Sequence, residues 1–139
     1  MTSNYNDWRR SNSSAYKNTI HFVFIAKYRR DVFTNEILLL IKRSMTDTCE
    51  NLKSELLEFN GEKDHVHLLA SVHPSCSIAT IAGQLKGRSS YMTRRFHAAH
   101  LNNFLWGGGL WSSSYCSVST GGAPIDVVAR YIKHQDRPS

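Results

Sequence analysis

The chain has little cysteine: Cys49, Cys76 and Cys116 are scattered through 139 residues, and no C-x-x-C occurs. An odd, dispersed set argues against a disulfide framework and points to a reducing, cytosolic setting. No apolar run approaches the roughly 18 residues that a membrane-spanning helix needs, so no membrane partner is expected. The opening stretch "MTSNYNDWRRSNSSAYKN" lacks an apolar h-region and does not read as a signal peptide. Residues 1–17 are expected to be loosely held. With three prolines and eight glycines there is no low-complexity linker, and no internal repeat is present. One domain over 1–139 is the natural division at this length. Acidic residues are also in deficit, 11 against 17 Lys and Arg, for a net charge of +6. That balance favours a polyanionic partner, most simply nucleic acid, although a basic soluble protein needs no such partner.

What the chain does contain is a regular succession of elements. "TIHFVFIAK", residues 19–27, is β-branched and aromatic and reads as a strand, followed by a basic turn, "YRRDVF". Thr34 suits the N-cap of a helix over 35–53, with Ile37, Leu38, Ile41, Met45, Thr48, Cys49 and Leu52 at helical spacing. "ELLEFNG" is a short strand ending in Asn-Gly, a hairpin signal, and "DHVHLLASV" is its partner, with 60–63 as the loop. Ser77 suits the cap of a second helix over 78–96, with Ile78, Ile81, Ala82, Leu85 and Met92 as its buried stripe. "SYCSVST" is a fourth strand, and Pro124 fits the first turn of a last helix over 124–135. The order β-α-β-β-α-β is the ferredoxin-like split βαβ, an α+β fold with an antiparallel sheet, here with an added C-terminal helix. Helices on one face of that sheet would leave the other free for a ligand.

Within "KDHVHLLASV" the alternation of a strand separates two faces. Val66, Leu68, Ala70 and Val72 form an apolar core face, which places His65, His67, Leu69 and Ser71 on the other. Positions i and i+2 of a strand lie about 7 Å apart, close enough for two imidazoles to grip one cation. Taken alone, so short a motif is more simply two half-exposed histidines. Glu62 and Asp64 are candidate oxygen donors, and a mixed N/O set with open positions suits Mg²⁺ or Mn²⁺ on a phosphate. "HPSC" offers His73 and Cys76, but no second cysteine stands at zinc-ligand spacing. In "VVARYIKHQ" a last helix would carry Val127, Tyr131 and Gln135 on one face, a phenol and a carboxamide one turn apart. That spacing also suits an ordinary amphipathic helix.

Together these blocks resemble the small single-tyrosine HUH transposases of the IS200/IS605 insertion-sequence group. The resemblance runs from "HFVFIAKYRRDVF" through "DHVHLLASV", "LKGRSSYMTRRF" and "LWSSSYCSVSTGG" to "VVARYIKHQ". It implies that His65 and His67 are metal ligands, Gln135 the third, and Tyr131 the nucleophile. The implied substrate is single-stranded DNA with terminal hairpins, cleaved and rejoined with Mg²⁺ or Mn²⁺ through a 5′-phosphotyrosine in a prokaryotic cytoplasm. The implied assembly is a homodimer in which one subunit's tyrosine helix can serve either its own or the other's histidines, with Gly121-Gly122 as a candidate hinge. Charge and stacking surfaces for DNA are sought at Lys27, Tyr28, Arg29 and Arg30, and at Lys86, Arg88, Arg94 and Arg95. Trp106 and Trp111 flank the glycines 107–109 and suit either stacking or core packing. The rival readings are a domesticated hairpin-processing HUH endonuclease, a non-catalytic single-strand-binding ferredoxin-like module and a zinc hydrolase. The second would read bases from sheet aromatics, where this third strand offers histidines.

Overall fold

A computed structural model describes residues 8–10, 15–105 and 109–119. Two short strands, β1 (Arg9–Arg10) and β2 (Ala15–Tyr16), pair antiparallel. Next come β3 (Thr19–Ala26), a 3₁₀ turn (Lys27–Arg29), α1 (Asn35–Asn51), β4 (Glu55–Gly61), β5 (His65–Ser71), α2 (Ile78–Leu101) and β6 (Trp111–Ser119). The last four strands form one sheet in the order β4-β5-β3-β6, every pair antiparallel. That is the ferredoxin-like arrangement expected from the sequence. The expected last helix, 124–135, lies outside the described residues.

One face of the sheet meets both helices. Phe22 and Phe24 of β3 and Val66, Leu68 and Ala70 of β5 pack against Ile37, Ile41, Met45 and Cys49 of α1 and Ile81, Ala82 and Leu85 of α2. Both predicted caps form: the Thr34 hydroxyl accepts from the Ile37 amide at 3.2 Å, and that of Ser77 from the Thr80 amide at 3.0 Å. Each satisfies a donor that the helix itself leaves without a partner.

Several boundaries differ from the sequence reading. Asn60 and Gly61 are not loop residues: they pair with His67 and Val66, and the turn closes one step later, where the Glu62 amide donates to the His65 carbonyl at 2.8 Å. Gly61 packs closely there, and a Cβ at this position would displace the end of the Leu38 side chain of α1. α1 ends at Asn51 rather than 53, and Lys53 turns at φ 56°. α2 continues five residues past 96 to Leu101, across a departure at His97 (φ −133°). Its buried stripe includes Ile81, Ala82 and Leu85 as expected, but Ile78 is exposed and Met92 half-buried, while Ser89 and Thr93 are buried. Those hydroxyls are tolerated because each donates to a carbonyl one turn back, Ser89 to Leu85 at 2.6 Å and Thr93 to Ser89 at 2.7 Å. Part of the segment expected to be loose is attached, since Arg9 pairs with Glu55 at 2.8 Å and the Tyr16 ring meets the edge of His73 at 5.5 Å.

β6 begins at Trp111, three residues before the expected strand, and accommodates the extra length by a register shift opposite Phe24 to Ala26. Trp111 is core rather than a stacking surface. Its ring lies against Phe24 and Phe33, and its indole N–H donates to the Ser89 hydroxyl at 2.9 Å. Trp111→Phe removes that donor and some volume. It should lower unfolding free energy by about 1–3 kcal/mol, measured by denaturant titration.

Candidate functional site: two histidines on the second sheet face

The second face of the sheet is set by period-2 alternation and antiparallel register. His65 and His67 of β5 stand opposite Ile25 and Val23 of β3, and Leu69 stands opposite His21. All these side chains therefore share one face, as the sequence predicts for His65 and His67. The face is not wholly open, which corrects the expectation of a free surface. Val23 and Ile25 are buried, with Cys116 packed against them, and Leu69 is 7% exposed. The histidines border this small apolar patch.

The His65 and His67 rings lie 6.3 Å apart between centroids, tilted by only 23°. His21, which the motif reading passed over, lies 5.5 Å from His67. The signal was available: His21 sits on the non-core parity of "TIHFVF". Burial beside the apolar patch lowers the His67 pKa, helped by His65 and opposed by Glu62 and Glu58. Burial, then His67, lowers that of His21. A neutral imidazole keeps a lone pair for a metal ion.

These depressed values also set a pH dependence. The folded chain binds protons at His21 and His67 less readily than the unfolded chain does. Stability should thus be complete above about pH 6.5 and fall as the pH drops below it toward the lowered folded values. The melting temperature should be lower at about pH 5.5 than at about pH 7.5, and His21→Gln should flatten the difference. A melting temperature that rises on acidification would contradict this.

The end of the sheet at His65 is tightly stitched. The Ala26 amide donates to the Asp64 carbonyl at 2.8 Å, and the Phe33 amide to that of Lys63 at 2.9 Å. Between them Tyr28 and Arg29 adopt left-handed conformations, φ 58° and 52°, each costing roughly 1–2 kcal/mol for a residue with a Cβ. Arg29 Nε donates to Asp64 Oδ2 at 3.0 Å, and His65 Nδ1 lies 2.8 Å from Asp64 Oδ1. Asp64 is buried immediately before the start of β5.

The sequence-predicted DNA contacts fall into two groups. Lys27, Tyr28, Arg29 and Arg30 form the turn at this same end, with the Lys27 ammonium 5.5 Å from the centre of the exposed Tyr28 ring. Lys86, Arg88, Arg94 and Arg95 lie on α2. Lys86 Nζ donates to the Ser113 carbonyl at 3.2 Å and sits 6.0 Å from the Tyr115 ring centre, and burial lowers its pKa. Arg94 reaches the Gly109 carbonyl at 2.9 Å, and Arg95 stacks over Phe96. Arg88 donates to Gln84 at 3.2 Å and lines a cleft of about 370 Å³ between α1 and α2, on the far side of the sheet from the histidines. Trp106, Tyr131, Gln135 and the Gly121-Gly122 pair lie outside the described residues.

Two imidazoles side by side suit a divalent ion as part of a ligand set. Among the described residues no cluster of three His, Cys, Asp or Glu side chains completes one. The "HPSC" stretch forms local contacts instead: His73 Nδ1 meets the Ser75 hydroxyl at 2.6 Å and the Cys76 thiol points to the Leu52 carbonyl. All three cysteines are free, and burial with the neighbouring Glu50 pushes the Cys49 thiol up to about 12. No helix among the described residues is long and apolar enough to cross a membrane.

Residues 14–135 match the family model for IS200-like transposases. The chain is 30% identical over 131 residues to the ISDra2 transposase TnpA of Deinococcus radiodurans, covering 93% of this chain and 91% of that one. It is 31% identical over 119 residues to the transposase of insertion sequence IS200 of Salmonella typhimurium, covering 83% and 74%. A crystal structure of a transposase candidate from Deinococcus radiodurans R1 superposes with a TM-score of 0.82 at 29% identity, over 94% of this chain and 99% of that one. A REP-associated tyrosine transposase bound to a REP hairpin has the same fold at TM-score 0.55 and 9% identity, over 94% and 70%. With the family match running from the β1–β2 segment to the "YIKHQ" stretch, the chain belongs to the IS200-like transposases.

Proposed function

We infer that this transposase cleaves and rejoins single-stranded DNA at insertion-sequence ends through a 5′-phosphotyrosine intermediate. The observation that carries the reading is the His65–His67 pair, two near-parallel rings on the sheet face away from the helices. The sequence adds Tyr131 and Gln135 at the i, i+4 spacing of one helix face. His65, His67 and Gln135 would hold Mg²⁺ or Mn²⁺, which supplies charge neutralisation at the scissile phosphate.

The chain's own groups perform the transfer. The Tyr131 phenol oxygen attacks phosphorus and loses its proton as the P–O bond forms. The bond to O3′ breaks, and that oxygen leaves as a 3′-hydroxyl. The 5′-phosphate stays on the phenol, so the diester bond energy is kept. A different 3′-hydroxyl can then attack, which releases the tyrosine and joins two strands. Free tyrosine titrates near pH 10, so the phenol must give up its proton as it attacks. The basic turn Lys27–Arg30 and the α2 cations would hold the DNA backbone. The REP-associated neighbour is bound to a REP hairpin, and hairpins near the element's ends are the proposed substrate here. A homodimer whose tyrosine helices serve the opposite histidine pair is part of the same reading, with Gly121-Gly122 as the hinge.

The test is incubation with single-stranded hairpin DNA and Mn²⁺, followed by denaturing electrophoresis. A covalent protein–DNA adduct that chelator prevents is expected. Binding of varied hairpins without cleavage, or cleavage with two free ends and no adduct, would contradict the reading.

A further inference from the structure

We propose that Asp64 is a positioning residue for His65, and that Arg29 anchors it, so that the basic turn and the histidine pair form one mechanical unit. This rests on the metal-binding role given to His65 and His67 above. The chain of contacts is short and nearly dry: Arg29 Nε to Asp64 Oδ2 at 3.0 Å, and Asp64 Oδ1 to His65 Nδ1 at 2.8 Å. The Asp64 side chain is 8% exposed and that of His65 14%.

Chemistry fixes the direction of the second bond. A carboxylate can only accept, so the hydrogen must be on Nδ1. In a neutral imidazole Nε2 then carries the lone pair. Asp64 therefore selects the tautomer and the ring orientation that present Nε2 as the donor atom. A carboxylate behind a ligating histidine also makes the ring a stronger base toward a metal ion. Asp64, adjacent to the histidine in sequence, was a candidate oxygen donor. Both of its oxygens are engaged by Arg29 and His65, so it orients a ligand rather than being one.

Arg29 accounts for the other half. Asp64 is buried, and a buried carboxylate needs a compensating charge. The guanidinium supplies it from a turn whose two left-handed residues, Tyr28 and Arg29, must be held by their surroundings. The Ala26 amide bond to the Asp64 carbonyl ties the same turn to the same residue through the backbone. A phosphate contact that shifts Lys27–Arg30 would therefore be felt at His65.

The test reads the ring itself, not turnover. Nitrogen-15 NMR of the full-length chain without metal, above the imidazole titration range, should show the His65 hydrogen on Nδ1. In Asp64→Ala both tautomers should appear. Asp64→Asn, which keeps an accepting oxygen without the charge, should be intermediate, and Arg29→Gln should resemble it. Mn²⁺ affinity without DNA, followed by electron paramagnetic resonance, should weaken about 10–100-fold in Asp64→Ala and less in Asp64→Asn. His67→Ala should abolish Mn²⁺ binding yet leave the His65 tautomer unchanged, which separates this proposal from the metal reading. Mn²⁺ binding that His67→Ala leaves intact would overturn the metal reading, and with it the affinity half of the proposal. A wild-type hydrogen on Nε2 would overturn the positioning role without recourse to any variant. So would an Asp64→Ala protein that folds and keeps both the wild-type tautomer and the wild-type affinity.

Discussion

His67→Ala should lose divalent-ion-dependent cleavage of single-stranded DNA by on the order of 10³-fold, because a ligand that fixes the ion is worth several kcal/mol of transition-state stabilisation. His67 is the cleaner member of the pair to change. Its ring lies beside the Val23–Ile25 patch rather than in the main core, and Asp64 does not depend on it. The variant should therefore fold, with a melting temperature within a few degrees of wild type. His65→Ala should be as damaging to cleavage, but it also strips Asp64 of a partner and should cost stability as well. Single-turnover cleavage across a Mn²⁺ titration distinguishes the effects. A His67→Ala protein that cleaves at the wild-type rate with wild-type metal dependence would remove the histidine pair from the mechanism.

Tyr131→Phe should remove cleavage and rejoining altogether, by on the order of 10³-fold or more, since no second oxygen in the proposed site takes over the attack. The change deletes one atom and leaves the ring, so hairpin binding should persist with unchanged salt dependence. Retained binding with lost cleavage is the signature of a nucleophile. Loss of both together would instead make Tyr131 a binding or packing residue. Mixing Tyr131→Phe with His67→Ala extends the test to the proposed dimer. If one subunit's tyrosine serves the other's histidines, the mixed dimer pairs one intact tyrosine with one intact histidine site, and activity should partly return. Shared sites are contradicted if each active centre proves to need both residues from one chain.

The sheet and its histidine face were legible because a strand's parity is unforgiving. A one-residue slip would have put Val66 and Leu68 in water. The two caps were legible because Thr34 and Ser77 stand just before apolar residues at helical spacing. What escaped the sequence depended on contacts far away in the chain. Asn60-Gly61 has the local chemistry of a tight turn, yet both residues stay in the ladder opposite His67 and Val66, and the turn closes at the Glu62–His65 bond. Ser89 and Thr93 break the apolar stripe of α2, and the Ser89 hydroxyl, besides donating within its own helix, accepts from the indole of Trp111, 22 residues further on. His21 lies 46 residues before His67 in the sequence and reaches it through the β3–β5 pairing. The Arg29–Asp64–His65 chain is hidden for the same reason: 35 residues separate its first two members. Tyr131 and Gln135 were singled out by spacing and family resemblance, and mapping of the covalent bond tests the role given to Tyr131.

The most direct measurement is therefore the location of the covalent bond. The chain is reacted with hairpin-bearing single-stranded DNA and Mn²⁺, digested with nuclease and protease, and the nucleotide-bearing peptide is sequenced by mass spectrometry. The account predicts a single modified residue, Tyr131, carrying a 5′-phosphonucleotide. A phosphonucleotide on Tyr28, Tyr91, Tyr115 or a serine, with Tyr131 unmodified, would contradict it.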